Sequence, residues 1–321
     1  MSTEFSSDLV ASGAGNHGLT VFISILLMLF AGSAQPATWQ HERGQLELLS
    51  TPERIVALDW AATEALLLLG ITPVGVGDRD YYPIWVREPA LPEGSHNVGA
   101  RRSPSLEAIA ELKPDLIVTS GHLVPAWALL ESIAPTYVMS IYDRSGEPFE
   151  RARTMLLILG DILDREKLAR ARLHELDAAL AGNRRRLEVA GLTDRPIALV
   201  NFMDDRHVRI NASNGIFDAA LEGLGLKNAW QRPGNVWGFA MIGLEDLADR
   251  PDARIVAISP TAAGLGEQLS ASPFWTWLPA VRQNEVYQID PVWAYGGVGA
   301  VQRLAGLLTE ALLAGGGSSV R

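Results

Sequence analysis

The sequence predicts an α/β protein of two lobes, built on mostly parallel sheets and joined by a single long helix. Three observations carry this. The chain has 321 residues, more than one hydrophobic core usually organises. The stretch Pro148–Leu163, PFERARTMLLILGDIL, sets Phe149, Ala152, Met155, Leu156, Leu159, Ile162 and Leu163 on one helical face. On either side of it short β runs alternate with short helices, the pattern of a sheet covered on both faces.

Taken in order, the chain opens with Leu19–Ala31, LTVFISILLMLFA, an unbroken apolar run of 13 residues. That is too short to cross a bilayer and right for a signal-peptide core. Gly32-Ser33-Ala34 supplies small residues for cleavage, although Glu4 and Asp8 precede the run and no Lys or Arg does. Residues 1–34 are expected to be a signal peptide and the mature chain to begin near Gln35. Residues 35–52 are polar and read as a flexible leader. Residues 53–146 form the N-terminal lobe, with strands at 54–58, 74–76, 116–119 and 137–140 and helices at 61–69, 105–112 and 127–133. Residues 147–164 form the interlobe helix, with Pro148 suited to a first turn and Ser145 and Glu147 as start signals. Asp164 reads as the cap of a following helix that runs to about Leu187. Residues 165–314 form the C-terminal lobe, with strands at 197–202, 208–210, 255–258 and 286–289 and a last helix over 298–313. The Gly- and Ser-rich residues 315–321 read as a disordered tail.

Composition narrows the function. The formal charge is −10, an acidic balance that argues against nucleic acid as partner. There is no cysteine, which excludes disulfides, thiolate metal sites and a cysteine nucleophile. No phosphate-cradling glycine loop and no Gly-x-Ser-x-Gly elbow occurs. No two of the six histidines stand at metal-ligand spacing, and Asp204-Asp205-Arg206-His207 reads as a turn after a strand. Neither catalytic nor metal-ligating residues are indicated, and no cofactor.

Aromatic residues are what stand out. Of nine tryptophans, Trp60, Trp85, Trp230, Trp237 and Trp293 fall in loop-like stretches at the ends of β runs, and Tyr295 follows two residues after the last. An indole offers a flat apolar body and one N–H donor, so a group of them at strand ends points to a binding cleft. Trp127, Trp275 and Trp277 lie on helical stretches and read as core.

The segments RIVALDWAATEALLLLGI (54–71), NVGARRSPSLEAIAELKPDLIV (97–118), NAWQ (228–231), NVWG (235–238), SPFWTWLPAVRQNEVY (272–287) and PVWAYG (291–296) resemble the periplasmic ferric hydroxamate siderophore-binding proteins, over about residues 50 to 315. These are binding proteins of ABC importers. The resemblance implies the two-lobed class III periplasmic binding protein fold and Trp60, Trp85, Arg101, Trp230, Trp237, Trp293 and Tyr295 as ligand contacts. It implies an iron(III)-siderophore ligand, a periplasmic monomer and an inner-membrane ABC permease as partner. A family tyrosine falls at Leu123, with His122 beside it. Glu245, and more weakly Glu131, match acidic side chains that meet the permease. Chemistry agrees, because a ferric tris-hydroxamate is uncharged at its centre and its oxygens saturate the iron. It asks for a donor or two in an apolar cleft, which one Arg among aromatics supplies. Arg102 reads as a solvated neighbour of Arg101. The pair also keeps a catecholate binder open, beside a haem or cobalamin binder and, from another class, a two-domain enzyme.

Overall fold

The computed structural model describes residues 36–121 and 127–320. The expected signal peptide lies outside them, as do His122 and Leu123.

The N-terminal segment is an ordered hairpin, β1 (Ala37–His41) and β2 (Gly44–Leu48), where a flexible leader was expected. Leu46 and Leu48 are buried in the core. The Glu42 carboxylate accepts from the Ser140 amide at 2.7 Å and from Arg151 at 2.6 Å, and Trp39 Nε1 donates to Asp161 at 2.6 Å. Two apolar side chains and a few anchored polar atoms hold a segment whose composition is that of a linker.

In the N-terminal lobe, β3 (Ile55–Ala57) leads into helix α1 (Trp60–Leu68), followed by β4 (Gly75–Val76), α2 (Tyr82–Trp85) and β5 (His96–Asn97). A ribbon, β6 (Gly99–Ala100) and β7 (Ser103–Pro104), comes next, then α3 (Leu106–Glu111), β8 (Leu116–Thr119), α4 (Trp127–Glu131) and β9 (Thr136–Val138). The sheet order is β5-β4-β3-β8-β9 with every pairing parallel.

Helix α5 (Pro148–Ile162) joins the lobes and begins with Pro in its first turn. It buries Ala152, Met155, Leu156 and Leu159, the face its spacing predicts. Helix α6 (Glu166–Val189) returns along it, and a Cβ at Gly160 would stand 2.7 Å from the Ala169 methyl, so the crossing is close. Asp164 does not cap α6. Arg165 holds that position, and the Asp164 carboxylate is engaged by the Thr51 hydroxyl.

The C-terminal lobe comprises β10 (Ile197–Phe202), β11 (His207–Asn211), α7 (Ile216–Gly223), β12 (Phe239–Gly243), β13 (Arg254–Ile258), α8 (Leu265–Ala271), α9 (Pro273–Trp277), α10 (Pro279–Arg282), β14 (Val286–Ile289) and α11 (Val298–Ala314). The sheet order is β12-β11-β10-β13-β14. Its β13 and β14 side is parallel, while β10, β11 and β12 form an antiparallel meander. The turn at Asp204–His207 is an Asx turn, with Asp204 Oδ1 accepting from the Arg206 and His207 amides at 2.8 and 2.7 Å.

Strand alternation explains the core. Ile55, Leu116, Leu199 and Val256 face one cluster that is continuous with Leu156 of α5 and Leu304 of α11. Their neighbours Val56 and Ile117 face a separate outer cluster of the first lobe, and Val200 and Ile255 one of the second. The two lobes thus share an inner core, with about 1.5–3 kcal/mol for each fully buried aliphatic side chain.

Two further expectations are corrected. The tail is ordered to Val320: Gly317 exchanges backbone hydrogen bonds with Val286 at 3.0 and 2.8 Å, Ser318 O accepts from Trp275 Nε1 at 3.3 Å, and Val320 is buried. A free sheet edge recruits backbone whatever the side chains are. Trp277, read as core, is 74% exposed, because the single turn of α9 buries Trp275 and turns Trp277 outward against Arg282.

Candidate functional site

The lobes meet at a cleft of about 440 Å³. Its N-terminal wall is built on the ribbon. Gly99 pairs with Pro104 and Ala100 with Ser103, so Arg101 and Arg102 form the two-residue turn and project from it. Arg101 Nε donates to Asp78 Oδ2 at 2.9 Å, and its guanidinium lies 3.6 Å from the Trp60 ring centre and 4.9 Å from that of Trp293. Gly77 provides the room, since a Cβ there would stand 2.9 Å from Arg101 Cγ. Arg102, read as a solvated neighbour, is exposed yet lines the cleft with Asp59, Asp78 and Ser120.

Trp60 is not a loop residue. It begins α1, is 2% exposed, and donates through Nε1 to Gly77 O at 2.9 Å. It forms the floor beneath Arg101. Asp59 caps the same helix by accepting from the Ala61 amide at 2.8 Å.

The C-terminal wall is aromatic. Trp237, Phe239, Trp293 and Tyr295 line it. Tyr295 packs edgewise on Trp293 at 5.0 Å and on Trp237 at 5.8 Å. Tyr142 wedges behind them, donating to Ala294 O at 2.8 Å and accepting from the Ile216 amide at 3.0 Å. Burial pushes its phenol well above the ordinary range, so it is a fixed neutral strut. Trp85 stands in the second row, 6.1 Å from Trp293 and outside the lining. Trp230 is not brought to the cleft. It packs against Ala198, Ile210, Ala229 and Leu278 in the outer cluster of the C-terminal lobe. A tryptophan after a β run marks the end of a strand, not the face on which it lands.

Sequence reasoning missed Asp78, Tyr142, Phe239 and Arg209. Arg209 Nη1 donates to the Tyr295 hydroxyl at 3.4 Å, and its guanidinium lies 4.5 Å from the Phe239 ring centre. No motif flags it. It stands in the middle of β11 and meets the cleft through the two lining rings it touches, Tyr295 and Phe239, the latter on the paired strand β12.

Glu64 was missed as well. It is buried in α1 and accepts from the Gly299 amide of α11 at 2.9 Å, across the seam between the lobes. A Cβ at Gly296, Gly297 or Gly299 would stand within 3.0 Å of its carboxyl group, which accounts for the glycines of AYGGVGA. Burial raises its pKa to about 8, partly opposed by the Ala300, Gly299 and Gly297 amides. Of the docking candidates, Glu245 is exposed, while Glu131 accepts from the Thr136 amide at 3.1 Å.

The model of the periplasmic binding protein family matches residues 55–292. The chain belongs to this family. As a periplasmic binding protein it has the class III arrangement, two lobes joined by a single long helix. It is 31% identical to the iron(3+)-hydroxamate-binding protein FhuD of Escherichia coli over 90% of this chain and 97% of the other. It is 29% identical to the Fe(3+) dicitrate-binding periplasmic protein FecB of the same organism, over 88% and 93%. Among solved structures, the Fe3+-Desferal-bound siderophore-binding protein FhuD from Vibrio cholerae superposes with a TM-score of 0.77 at 30% identity, covering 83% of this chain and 99% of that one. No helix among the described residues is long and apolar enough to cross a membrane.

Proposed function

We propose that this protein binds a ferric hydroxamate siderophore in the interlobe cleft and delivers it, as a periplasmic monomer, to an inner-membrane ABC permease. The observation that carries the reading is the composition of the two walls. The charged side chains lining the cleft are Asp59, Asp78, Arg101 and Arg102, two of each sign. Arg209 behind Tyr295 and Phe239 adds at most one net positive charge, and the uncharged lining is dominated by aromatic rings. A ferric tris-hydroxamate brings a neutral centre sheathed in apolar linkers, which suits that balance. A tris-catecholate brings three negative charges, which does not. Arg101 supplies the directional contact. Its Nε is held by Asp78, so Nη1 and Nη2 are the donors from which hydroxamate oxygens would accept. The likeness to two FhuD proteins supports the same ligand class, and the run at Leu19–Ala31 supports export.

Cleft tryptophans beside a strongly absorbing ferric complex lose fluorescence when it binds. Titration with ferrichrome or ferrioxamine B should quench emission saturably, and iron-loaded enterobactin should not. Quenching by the catecholate alone would overturn the reading.

A further inference from the structure

The charges of the cleft are not all matched. Arg101 is paired with Asp78, and Asp59 serves the N-terminus of α1. Arg102 and Arg209 have no carboxylate partner among the described residues. Arg102 comes from the N-terminal lobe and lines the cleft with Tyr295, while Arg209 comes from β11 of the C-terminal lobe and reaches the Tyr295 hydroxyl. Arg209 Nε is buried with no partner among the described residues. In the Arg209–Tyr295 contact the guanidinium donates and the phenol oxygen accepts, so the phenol hydrogen is left to point at a ligand. Burial raises the Tyr295 pKa, and Arg209 and Arg102 both work against that rise, so the hydroxyl lies in the field of both cations. A neutral ferric centre leaves this concentration of donors unanswered.

We propose that Arg102, Arg209 and the Tyr295 hydroxyl form a subsite for a carboxylate that the ligand carries outside its iron-binding oxygens. This rests on the reading of the cleft as a ferric hydroxamate site and narrows it to hydroxamates with one free acidic arm. The two guanidiniums approach the carboxylate from opposite lobes, and the phenol donates between them. A planar guanidinium offers paired N–H donors matched to the two oxygens of a carboxylate.

The test uses two ferric complexes made from desferrioxamine B, one with its terminal amine propionylated and one with it succinylated. They are identical around the iron and differ by one carboxylate. Binding to the full chain is read by tryptophan quenching. The parent should bind the succinyl complex about tenfold more tightly, the scale of one charge-assisted hydrogen-bonded contact. In Arg209→Met, which leaves an unbranched apolar side chain beside Phe239 in place of the guanidinium, that preference should fall to about twofold or less, and likewise in Arg102→Met. Arg102 is exposed, so its variant tests the proposal even if Arg209→Met fails to fold. Equal binding of the two complexes by the parent, or a preference that survives Arg102→Met, overturns the subsite and leaves the hydroxamate reading standing. If the parent binds neither complex, the hydroxamate reading falls and the subsite with it.

Discussion

The two walls of the cleft are built on opposite principles. The N-terminal wall is polar and sits on a tight turn, with Arg101 and Arg102 at the tip of a ribbon and Asp78 fixing the first of them. The C-terminal wall is a stack of rings, Trp237, Tyr295 and Trp293, braced from behind by Tyr142. A guanidinium discriminates by direction, because its hydrogen bonds weaken steeply off angle. A ring discriminates by area and tolerates different backbones against it. On the proposed reading, the contrast gives the iron-bound hydroxamate oxygens to the N-terminal lobe and the general grip to the C-terminal one, which shares only the free carboxylate.

The largest effect on binding is expected where the walls touch. Trp293 contacts Trp60 at 4.8 Å and Tyr295 at 5.0 Å, and lies under Arg101. Trp293→Ala should weaken every ferric hydroxamate alike, by at least about 2 kcal/mol, as for a buried aromatic hot spot. Calorimetry showing loss for one ligand only would break the division between walls. Arg101→Ala should follow, at about 1.5–3 kcal/mol, the scale of a hydrogen bond to a charged group. Arg101→Lys should recover little of it, because an ammonium cannot keep Asp78 and reach ligand oxygens together. Full recovery would mean that charge alone matters on the polar wall. Asp78→Asn should cost less, about 0.5–1.5 kcal/mol for a neutral complex, since the anchor loses its charge but keeps an acceptor. The same change should improve binding of any anionic complex, and an equal loss for both would count against charge balance as a selector.

The smallest effect on binding belongs to Glu64, behind both walls. Its pKa is raised to about 8 from an ordinary 4.5, so the folded state holds its proton more tightly than the unfolded chain does. That contribution to stability is complete below the ordinary value and is lost as pH rises toward 8, with a slope of up to about 1.4 kcal/mol per pH unit. Glu64→Gln keeps the hydrogen bond to Gly299 and has no such proton. The variant should gain melting temperature relative to the parent between pH 5 and pH 8 while ligand affinity at pH 6 is unchanged. A parallel pH profile in the two proteins would show that Glu64 is already ionised in the fold.

Much of the frame was legible because it is periodic. The buried face of α5 and the alternation of β3, β8, β10 and β13 are written in side chains at fixed spacing. Trp237, Trp293 and Tyr295 were legible as strand-end aromatics and Arg101 through the resemblance, and all four line the cleft. Features made by backbone or by distant partners were not. The β1–β2 hairpin and the strand-like tail at Gly317 depend on sheet and core partners elsewhere. Phe239 and Arg209 meet through strand pairing that no local pattern announces. Trp230 shows the reverse failure, a residue of the right type on the wrong face. Glu64 lies in an apolar helix with its partner 235 residues away, so no window of sequence contains both.

That carboxylic acid also gives the seam a chemical signature. Burial favours the protonated form of Glu64 while the lobes are packed, and water would return it to an ordinary carboxylate. Opening of the seam therefore favours release of a proton to solvent, and closing favours its uptake. Any ligand or partner that pries the lobes apart should show an apparent binding heat that varies with the ionisation enthalpy of the buffer, and this variation should vanish in Glu64→Gln.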